Sequence, residues 1–312
     1  MRTIALTAAL LCACQPPQQQ TPDAGPGPLT PAPEEFDCTN PVLAERKSTV
    51  PYECLVDRAC TTRLVSAHRG AGGDLGELAP ENTLAAVRAA VLLGVDYIET
   101  DPRPSGDGVI VNVHDTDVAR VTEGTGAVSM MTLAQLKALN LKTSKYAGDF
   151  SCERIATLRE ILEAAKGRVM VLVDANKTDR VDLLVGDIQA TGTQEWAIFD
   201  TSSPDKIEQA IALEANLLTM IRTGSVADLD AQLARFAAHP PIIVEVDRTD
   251  TAAEVAAATR ARGHRPFTDV FVEDIYVALE GKLKTYDKAW ALGIDIAQTD
   301  RPAELLRYLG RR

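Results

Sequence analysis

The chain has 312 residues, of which 46% are hydrophobic and 24% charged, and its formal net charge at pH 7 is −12. This composition is typical of a soluble globular protein and argues against a disordered, low-complexity or membrane-spanning chain. The acidic balance argues against a duplex-binding module, which normally needs a basic surface to neutralise phosphates. We therefore expect no nucleic-acid partner, and a better fit to divalent cations than to polyanions.

The first residues are typical of an export signal. Arg2 is followed by an apolar run from Ile4 to Ala13, which is too short to span a bilayer as a helix. The segment Leu11–Cys14 resembles a bacterial lipobox, in which cleavage leaves an acylated cysteine, here Cys14. The alternative is an ordinary signal peptide. We favour the lipid anchor because a stretch rich in Gln and Pro, 15–33, follows at once and resembles a flexible tether.

These features predict a division of the chain into three parts. Residues 1–13 are expected to be the signal peptide, 14–60 a flexible tether and N-terminal segment, and 61–312 one folded domain. The mature protein is predicted to be an exported monomer. A lipid on Cys14 would anchor it at the cell envelope, so we expect it to associate with a membrane.

Besides Cys14, four cysteines remain after the signal: Cys38, Cys54, Cys60 and Cys152. An even number in an exported chain indicates two disulfides, with three possible pairings. The simplest pairing joins Cys54 to Cys60 in a small loop and leaves Cys38 to pin the N-terminal segment to Cys152. A zinc site is the alternative, but none of the four cysteines forms a C-x-x-C pair or has a nearby histidine.

From Leu64 onward, β-branched runs alternate with amphipathic stretches, which predicts a parallel sheet. The predicted strands are Leu64–Ala67, Val95–Thr100, Val169–Val173, Trp196–Phe199, Leu217–Ile221, Ile242–Val246, Val270–Glu273 and Ile294–Gln298. The predicted helices are Glu81–Leu93, Leu158–Lys166, Arg180–Ala190, Asp205–Glu214, Val226–Ala237, Ala252–Arg262, Leu279–Leu292 and Ala303–Leu309. Eight such units predict a (β/α)₈ TIM barrel. A doubly wound open sheet is the alternative, but no Gly-rich phosphate-binding pattern follows the first strand.

One stretch interrupts the alternation after the second strand. Ser105–Gly108 is a turn signal, so we expect a β-hairpin insertion there. A turn centred on Gly106 and Asp107 would pair residues whose numbers sum to 213. Glu99 would then lie directly opposite His114.

Chemically active side chains follow the predicted strands. Two of the four histidines, His68 and His114, follow a strand or the hairpin, whereas His239 and His264 lie near predicted helix ends and are expected on the surface. Glu99 and Asp101, two residues apart in a strand, share one face, where a divalent cation would relieve their repulsion. Asp174 ends the neighbouring third strand and would complete a three-carboxylate site, although exposed charges that cap loops are the alternative interpretation.

A series of motifs resembles the glycerophosphodiester phosphodiesterase family. In order, the segments are His68–Gly70, Pro80–Thr83, Ile98–Asp101, Asp107–Gly108, His114–Asp115, Ile155–Leu162, Gly293–Asp295 and Thr299–Pro302. The resemblance covers about 64–309. It implies a TIM barrel that hydrolyses glycerophosphodiesters to glycerol phosphate and an alcohol, with one divalent cation, Mg²⁺ or Ca²⁺.

The resemblance also implies roles for single residues. His68 and His114 would be the acid/base pair, with Arg69 a phosphate ligand and Glu99 and Asp101 metal ligands. The residues alone do not decide which histidine is the base; we take His68 as base and His114 as acid. Imidazoles suit both tasks near neutral pH.

The third strand departs from the family pattern, which is Glu-x-Lys. Asp174 is expected to bind the metal with a shorter reach, and either Asn176 or Lys177 to replace the substrate-binding lysine. Two alternatives to the main hypothesis remain. One is an enzyme of the sphingomyelinase D or phospholipase D type that acts on intact phospholipids. The other is a non-catalytic surface lipoprotein that binds phosphate esters.

Overall fold

A computed structural model describes residues 30–312 of the chain. The predicted signal peptide and Cys14 lie outside the described residues. Parallel strands close into a barrel in the order β1 (Leu64–Ala67), β2 (Tyr97–Thr100), β5 (Met170–Asp174), β6 (Ala197–Asp200), β7 (Leu218–Thr223), β8 (Ile243–Val246), β9 (Arg265–Asp269) and β10 (Ile296–Thr299), and β10 pairs back with β1. The predicted (β/α)₈ barrel is confirmed, and the open sheet is excluded.

Helices surround the barrel and cover its strands. Following the barrel strands along the chain, they are α2 (Leu84–Leu93), α4 (Leu158–Ala165), α5 (Val181–Thr191), α6 (Pro204–Leu213), α7 (Val226–Arg235), α8 (Ala252–Ala261), α9 (Phe271–Glu280), α10 (Asp287–Trp290) and α11 (Pro302–Tyr308). Two short helices, α1 (Tyr52–Val56) and α3 (Leu133–Lys137), lie outside this pattern. None of the helices in the described part of the chain is long and apolar enough to cross a membrane.

The seventh unit differs from its prediction. The strand expected at Val270–Glu273 is the start of helix α9, and the strand itself is Arg265–Asp269. Arg265 makes this strand look polar, yet its guanidinium is fully buried and donates to the carbonyl oxygens of Cys54 and Thr62 at 2.7 and 2.6 Å. The prediction of one helix over Leu279–Leu292 is therefore also wrong, because α9 occupies its first residues and α10 is a separate short helix.

The first barrel helix begins three residues later than predicted. Its N-cap is Thr83, whose Oγ1 accepts a hydrogen bond from the Ala86 amide. Asn82 has a φ of 58°, a left-handed conformation that cannot continue into a helix. Pro80 and Glu81 thus belong to the loop above β1 rather than to the helix.

The predicted hairpin is present, but its register differs by one residue. β3 (Pro102–Pro104) pairs antiparallel with β4 (Ile110–Asn112), and the paired residue numbers sum to 214, not 213. The reason is the turn, in which Gly108 N donates to Ser105 O and Gly108 has a φ of 81°. Such a turn has three residues between the paired positions. The expected pairing of Glu99 with His114 is therefore wrong, and Glu99 instead pairs with Leu172 inside the barrel.

The N-terminal segment closes the bottom of the barrel. Val50 and Leu55 pack on the lower side chains of the strands, among them Tyr97, whose hydroxyl donates to Leu55 O at 2.6 Å. At its other end, Thr30 lies in a small cavity with Leu75, Leu78 and the loop Asp300–Glu304. That loop follows β10, so the described chain starts at the carboxyl end of the barrel strands and runs to the opposite end.

Both predicted disulfides are confirmed, Cys54–Cys60 and Cys38–Cys152. The second joins residues 114 apart in sequence. Serine at both positions of this bridge is expected to reduce the free energy of unfolding by about 4–5 kcal/mol, because a cross-link over a long loop restricts the unfolded chain most.

Denaturant unfolding of the oxidised protein measures this loss. The matched control is the double serine variant of Cys54 and Cys60. That disulfide closes a loop of only 6 residues, so its removal should reduce the free energy of unfolding by about 2 kcal/mol. Equal losses in the two variants would contradict the explanation from loop length.

Candidate active site

The predicted site residues lie at the carboxyl ends of the first three barrel strands. His68 follows β1, Glu99 and Asp101 belong to the end of β2, and Asp174 ends β5. Each of the three carboxylates offers an oxygen, and these oxygens lie within 4.8 Å of one another. All three residues are buried. The geometry therefore gathers three acidic oxygen donors from two neighbouring strands at one point.

Electrostatic repulsion within this cluster is visible at Glu99. Burial and the neighbouring Asp101 carboxylate raise the pKa of Glu99 well above its usual value, and His68 only partly offsets them. One oxygen of Glu99 also accepts the Arg69 amide at 3.0 Å, which fixes its direction. A donor set made only of carboxylate oxygens that lie close together fits a hard divalent cation.

His68 is held by an acidic partner from the last barrel strand. Its Nδ1 lies 2.6 Å from Asp300 Oδ1. Burial lowers the pKa of His68, but the bond to Asp300 and the charges of Glu99 and Asp300 outweigh it and raise that pKa to about 9. Gly73 donates its amide to the same Asp300 oxygen, and a Cβ at Gly73 would lie 2.4 Å from His68 Nδ1. The loop can approach this pair only because position 73 carries no side chain.

His114 lines the same cavity as His68, although it belongs to the segment that follows the hairpin strand β4. Its Nδ1 lies 2.9 Å from Asp115 Oδ1, and its side chain is 34% exposed. Asp115 in turn accepts from Arg120 at 2.6 Å. Burial opposes ionisation of Asp115, but its bonds to Arg120 and His114 lower its pKa to about 2.

Arg120 extends these contacts to the loop that follows β1. Its guanidinium makes two hydrogen bonds to Glu81, at 2.8 and 2.7 Å, and Glu81 accepts from Arg69 at 3.3 Å. The result is a continuous series of ion pairs from His114 to Arg69. Sequence reasoning gave no role to Glu81 or Arg120, although Glu81 belongs to one of the quoted motifs.

Arg69 and Lys177 both contact the carboxylate cluster. Arg69 Nε lies 3.5 Å from Asp101 and has no hydrogen-bond partner among residues 30–312. Lys177 Nζ is 3.7 Å from both Asp101 and Asp174. A short 3₁₀ helix over Ala175–Lys177 turns Lys177 inward, whereas a regular strand would have turned it away.

Asn176 and Asn82 support the cluster without belonging to it. Asn176 donates to Asp174 at 2.5 Å and accepts from the Ser202 amide at 2.9 Å. Asn82 donates to Asp101 at 2.9 Å through the left-handed turn described above. Of the two candidates that the third strand offered, Lys177 is therefore the one that carries a cationic group to the cavity.

Sequence reasoning missed three charged residues on the far wall of the cavity: Asp200, Arg222 and Glu245. Each lies in or at the end of a predicted strand, and a charge there was the available signal. Burial raises the pKa of Glu245 to about 8, with Asp200 and Asp269 adding to the effect against the opposing charge of Arg222. The two remaining histidines differ: His239 is exposed as expected, but His264 is buried and bonds to Pro241 O at 2.9 Å.

A comparison with known protein families decides the relationship. The family model described as the glycerophosphoryl diester phosphodiesterase family matches residues 68–303. The chain belongs to this family. The match begins at His68 and includes all the candidate site residues named above.

Individual relatives agree with this assignment. The chain is 43% identical over 100 residues to a glycerophosphodiester phosphodiesterase of Caldanaerobacter subterraneus, and 43% identical over 95 residues to the human glycerophosphodiester phosphodiesterase 1. These alignments cover 32% and 30% of this chain, and only 39% and 28% of those two proteins.

Solved structures extend the similarity of fold to most of the chain. A glycerophosphoryl diester phosphodiesterase from Parabacteroides distasonis has a TM-score of 0.71 at 22% identity, covering 86% of this chain and 93% of that one. A phosphodiesterase from Oleispira antarctica, solved in complex with the product sn-glycerol-3-phosphate, has a TM-score of 0.66 at 21% identity, covering 80% and 97%.

Proposed function

We propose that this member of the family is a metal-dependent phosphodiesterase that hydrolyses glycerophosphodiesters to glycerol phosphate and an alcohol. One observation carries the proposal: His68, His114 and the three carboxylates line a single cavity of about 190 Å³. Phosphodiester hydrolysis needs a base for the nucleophile, an acid for the leaving alcohol and positive charge near the phosphoryl oxygens. The residues of this cavity can supply each of these.

Glu99, Asp101 and Asp174 are the proposed ligands of one divalent cation, Mg²⁺ or Ca²⁺. Their spacing and the raised pKa of Glu99 support this assignment. When bound, the cation would neutralise charge that develops on the phosphoryl oxygens. Lys177 and Arg69 would bind the substrate phosphate from either side of the cluster, and the unpaired Nε of Arg69 leaves one donor for an oxygen.

His68 is proposed as the base and His114 as the acid. A cation bound at Glu99 would offset the carboxylate charge that helps to raise the pKa of His68, and would thus favour the neutral ring that a base requires. A carboxylate can only accept a hydrogen bond, so Asp300 and Asp115 each keep a proton on Nδ1 of their histidine. The proton exchanged with substrate is then the one at Nε2 of each ring. The acidic partner also stabilises the imidazolium that a base forms when it accepts a proton.

Export and lipid anchoring remain part of the proposal. Two disulfides support an oxidising compartment, since such bonds persist there and are rare in the cytosol. Cys14 would carry the lipid, which mass spectrometry of the membrane-extracted protein can detect.

Purified protein should hydrolyse glycerophosphocholine and release glycerol phosphate and choline. The same preparation should lose this activity in EDTA and regain it when Mg²⁺ or Ca²⁺ is added in excess. The assay is run beside bis(4-nitrophenyl) phosphate, which reports any general phosphodiesterase activity.

Three other outcomes would each contradict a different part of the proposal. Product that forms equally well in EDTA removes the cation. Release of choline or ceramide phosphate from intact lipids alone would favour the phospholipase D type. No turnover of any ester would favour a binding protein.

A further inference from the structure

The cavity has a second half that the proposed chemistry does not use. One half is formed by the histidines, the carboxylate cluster and Lys177. The other half is formed by side chains of later strands, namely Asp200, Arg222, Glu245, Phe267 and Gln298. The whole cavity measures about 190 Å³, so a phosphodiester with its phosphoryl group at the carboxylate cluster would have one of its two alcohol substituents within reach of this second half.

Arg222 is the fixed centre of the second half. Its Nε and Nη2 form two hydrogen bonds to Asp200, at 3.0 and 2.6 Å, and Nε also lies 2.9 Å from Glu245 Oε2. Asp200 is almost fully buried and Arg222 is 26% exposed. The guanidinium is thus held in one orientation before any ligand binds, which reduces the entropy lost on binding.

Two polar atoms of this half have no protein partner. No hydrogen bond joins Arg222 Nη1 or Glu245 Oε1 to another residue of the segment 30–312, although both side chains line the cavity. The side chains of Arg222 and Glu245 are 26% and 18% exposed, so both atoms are accessible to a ligand in the cavity. A donor beside an acceptor fits neighbouring hydroxyl groups, each of which can donate and accept.

Phe267 forms part of the lining of this half. It is buried, and its strand places it beside Glu245 in the pairing of β8 with β9. The exposed lining of the cavity is almost entirely polar. An acylated chain would leave both polar atoms unpaired and would bring apolar groups against charged ones.

We propose that Arg222 and Glu245, with Asp200 holding Arg222 in place, determine substrate specificity by binding the free hydroxyls of a glycerol-type substituent. This inference rests on the proposed phosphodiesterase function and assigns its selectivity to three residues outside the predicted catalytic set. The substrate class is a diester with one small polyhydroxylated alcohol, which remains on phosphorus after cleavage.

A pair of matched substrates tests the proposal. Glycerophosphocholine and propyl phosphocholine have the same leaving alcohol and the same three-carbon chain, but the second lacks both hydroxyls. The wild type should show the higher kcat/KM with glycerophosphocholine. Arg222→Lys, which keeps the charge but loses the fork, and Glu245→Met should each reduce this preference by about 10–100-fold. Arg248→Gln is the matched control, since Arg248 pairs with Glu273 at 2.8 Å and does not line the cavity.

An unchanged preference in both variants, or one equally reduced in Arg248→Gln, would overturn the proposal. Calorimetric titration with sn-glycerol 3-phosphate and with inorganic phosphate gives a second measure that needs no turnover. The wild type should bind the glycerol ester more tightly, and both cavity variants should lose that difference. A wild type that hydrolyses neither diester contradicts the proposed function, whereas the titration still decides the role of Arg222 and Glu245.

Discussion

Replacing His114 by alanine is expected to lower kcat for glycerophosphocholine by about 10²–10⁴-fold, the usual contribution of a general acid or base. The fold should be unaffected. His114 is partly exposed, lies in the loop that follows β4 and bonds through its ring to Asp115 alone among residues 30–312. Kinetic assay at saturating substrate, with a thermal unfolding curve for the same preparation, measures both expectations.

Substrates with different leaving groups distinguish the proposed roles of the two histidines. 4-Nitrophenolate departs without protonation, so an acid at position 114 contributes little to the cleavage of bis(4-nitrophenyl) phosphate. His114→Ala should therefore lose far more activity on glycerophosphocholine than on the aryl ester. His68→Ala should lose comparable activity on both, because a base is needed whatever the leaving group.

The control for these variants is His239→Ala, since His239 is exposed and lies on the connection between α7 and β8. It should retain wild-type kcat. Near-normal turnover by His114→Ala would remove this residue from the mechanism. The reverse dependence on leaving group would exchange the roles of His68 and His114.

Glu99→Gln should have the second large effect, a loss of cation affinity of at least about 100-fold. Outer-shell partners alone are worth 10–100-fold in metal affinity, and a direct carboxylate ligand contributes more. In the metal-free protein the same change should stabilise the fold. The raised pKa of Glu99 means that its favourable contribution is complete below pH 4.5 and is lost as pH rises through the raised value. A neutral amide avoids that loss.

Thermal unfolding in EDTA and in excess Mg²⁺ or Ca²⁺ measures both effects. The wild type should gain stability when the cation is added, by an amount that follows its affinity. In EDTA, Glu99→Gln should unfold at a higher temperature than the wild type by a margin that grows as the pH is raised, and it should gain little from the cation. Glu208→Gln, which removes an exposed carboxylate paired with Arg235, is the control and should respond like the wild type. A variant that responds normally to the cation would exclude Glu99 as a ligand.

Most of the barrel was predictable because its strands are short apolar runs bounded by turn-forming residues. The seventh unit was not, since Arg265 is polar in sequence and is buried only because carbonyl groups of Cys54 and Thr62, about 200 residues away, accept its hydrogen bonds. The register of the hairpin depended on the left-handed Gly108, which adds one residue to the turn. Both errors arose where tertiary contacts or a turn conformation outweighed the apolar pattern.

The candidate site, too, could be predicted from the sequence only in part. His68, Glu99, Asp101 and His114 come from short motifs whose spacing is visible in the chain, and they share one cavity as expected. Lys177 required the 3₁₀ turn, which sequence periodicity does not specify. Asp200, Arg222 and Glu245 lie on three successive strands, and only closure of the barrel brings them to face the carboxylate cluster.

The entry of the chain beside Asp300–Glu304 has a geometric consequence for a lipid-anchored protein. Fifteen residues separate Cys14 from Thr30, and a chain of that length reaches at most about 50 Å when fully stretched. Thr30 lies at the carboxyl end of the barrel strands, where the cavity opens. A chain anchored at Cys14 would therefore join the barrel at this end and not at the opposite one. An acylated Cys14 would then keep the opening of the cavity within about 50 Å of the bilayer surface.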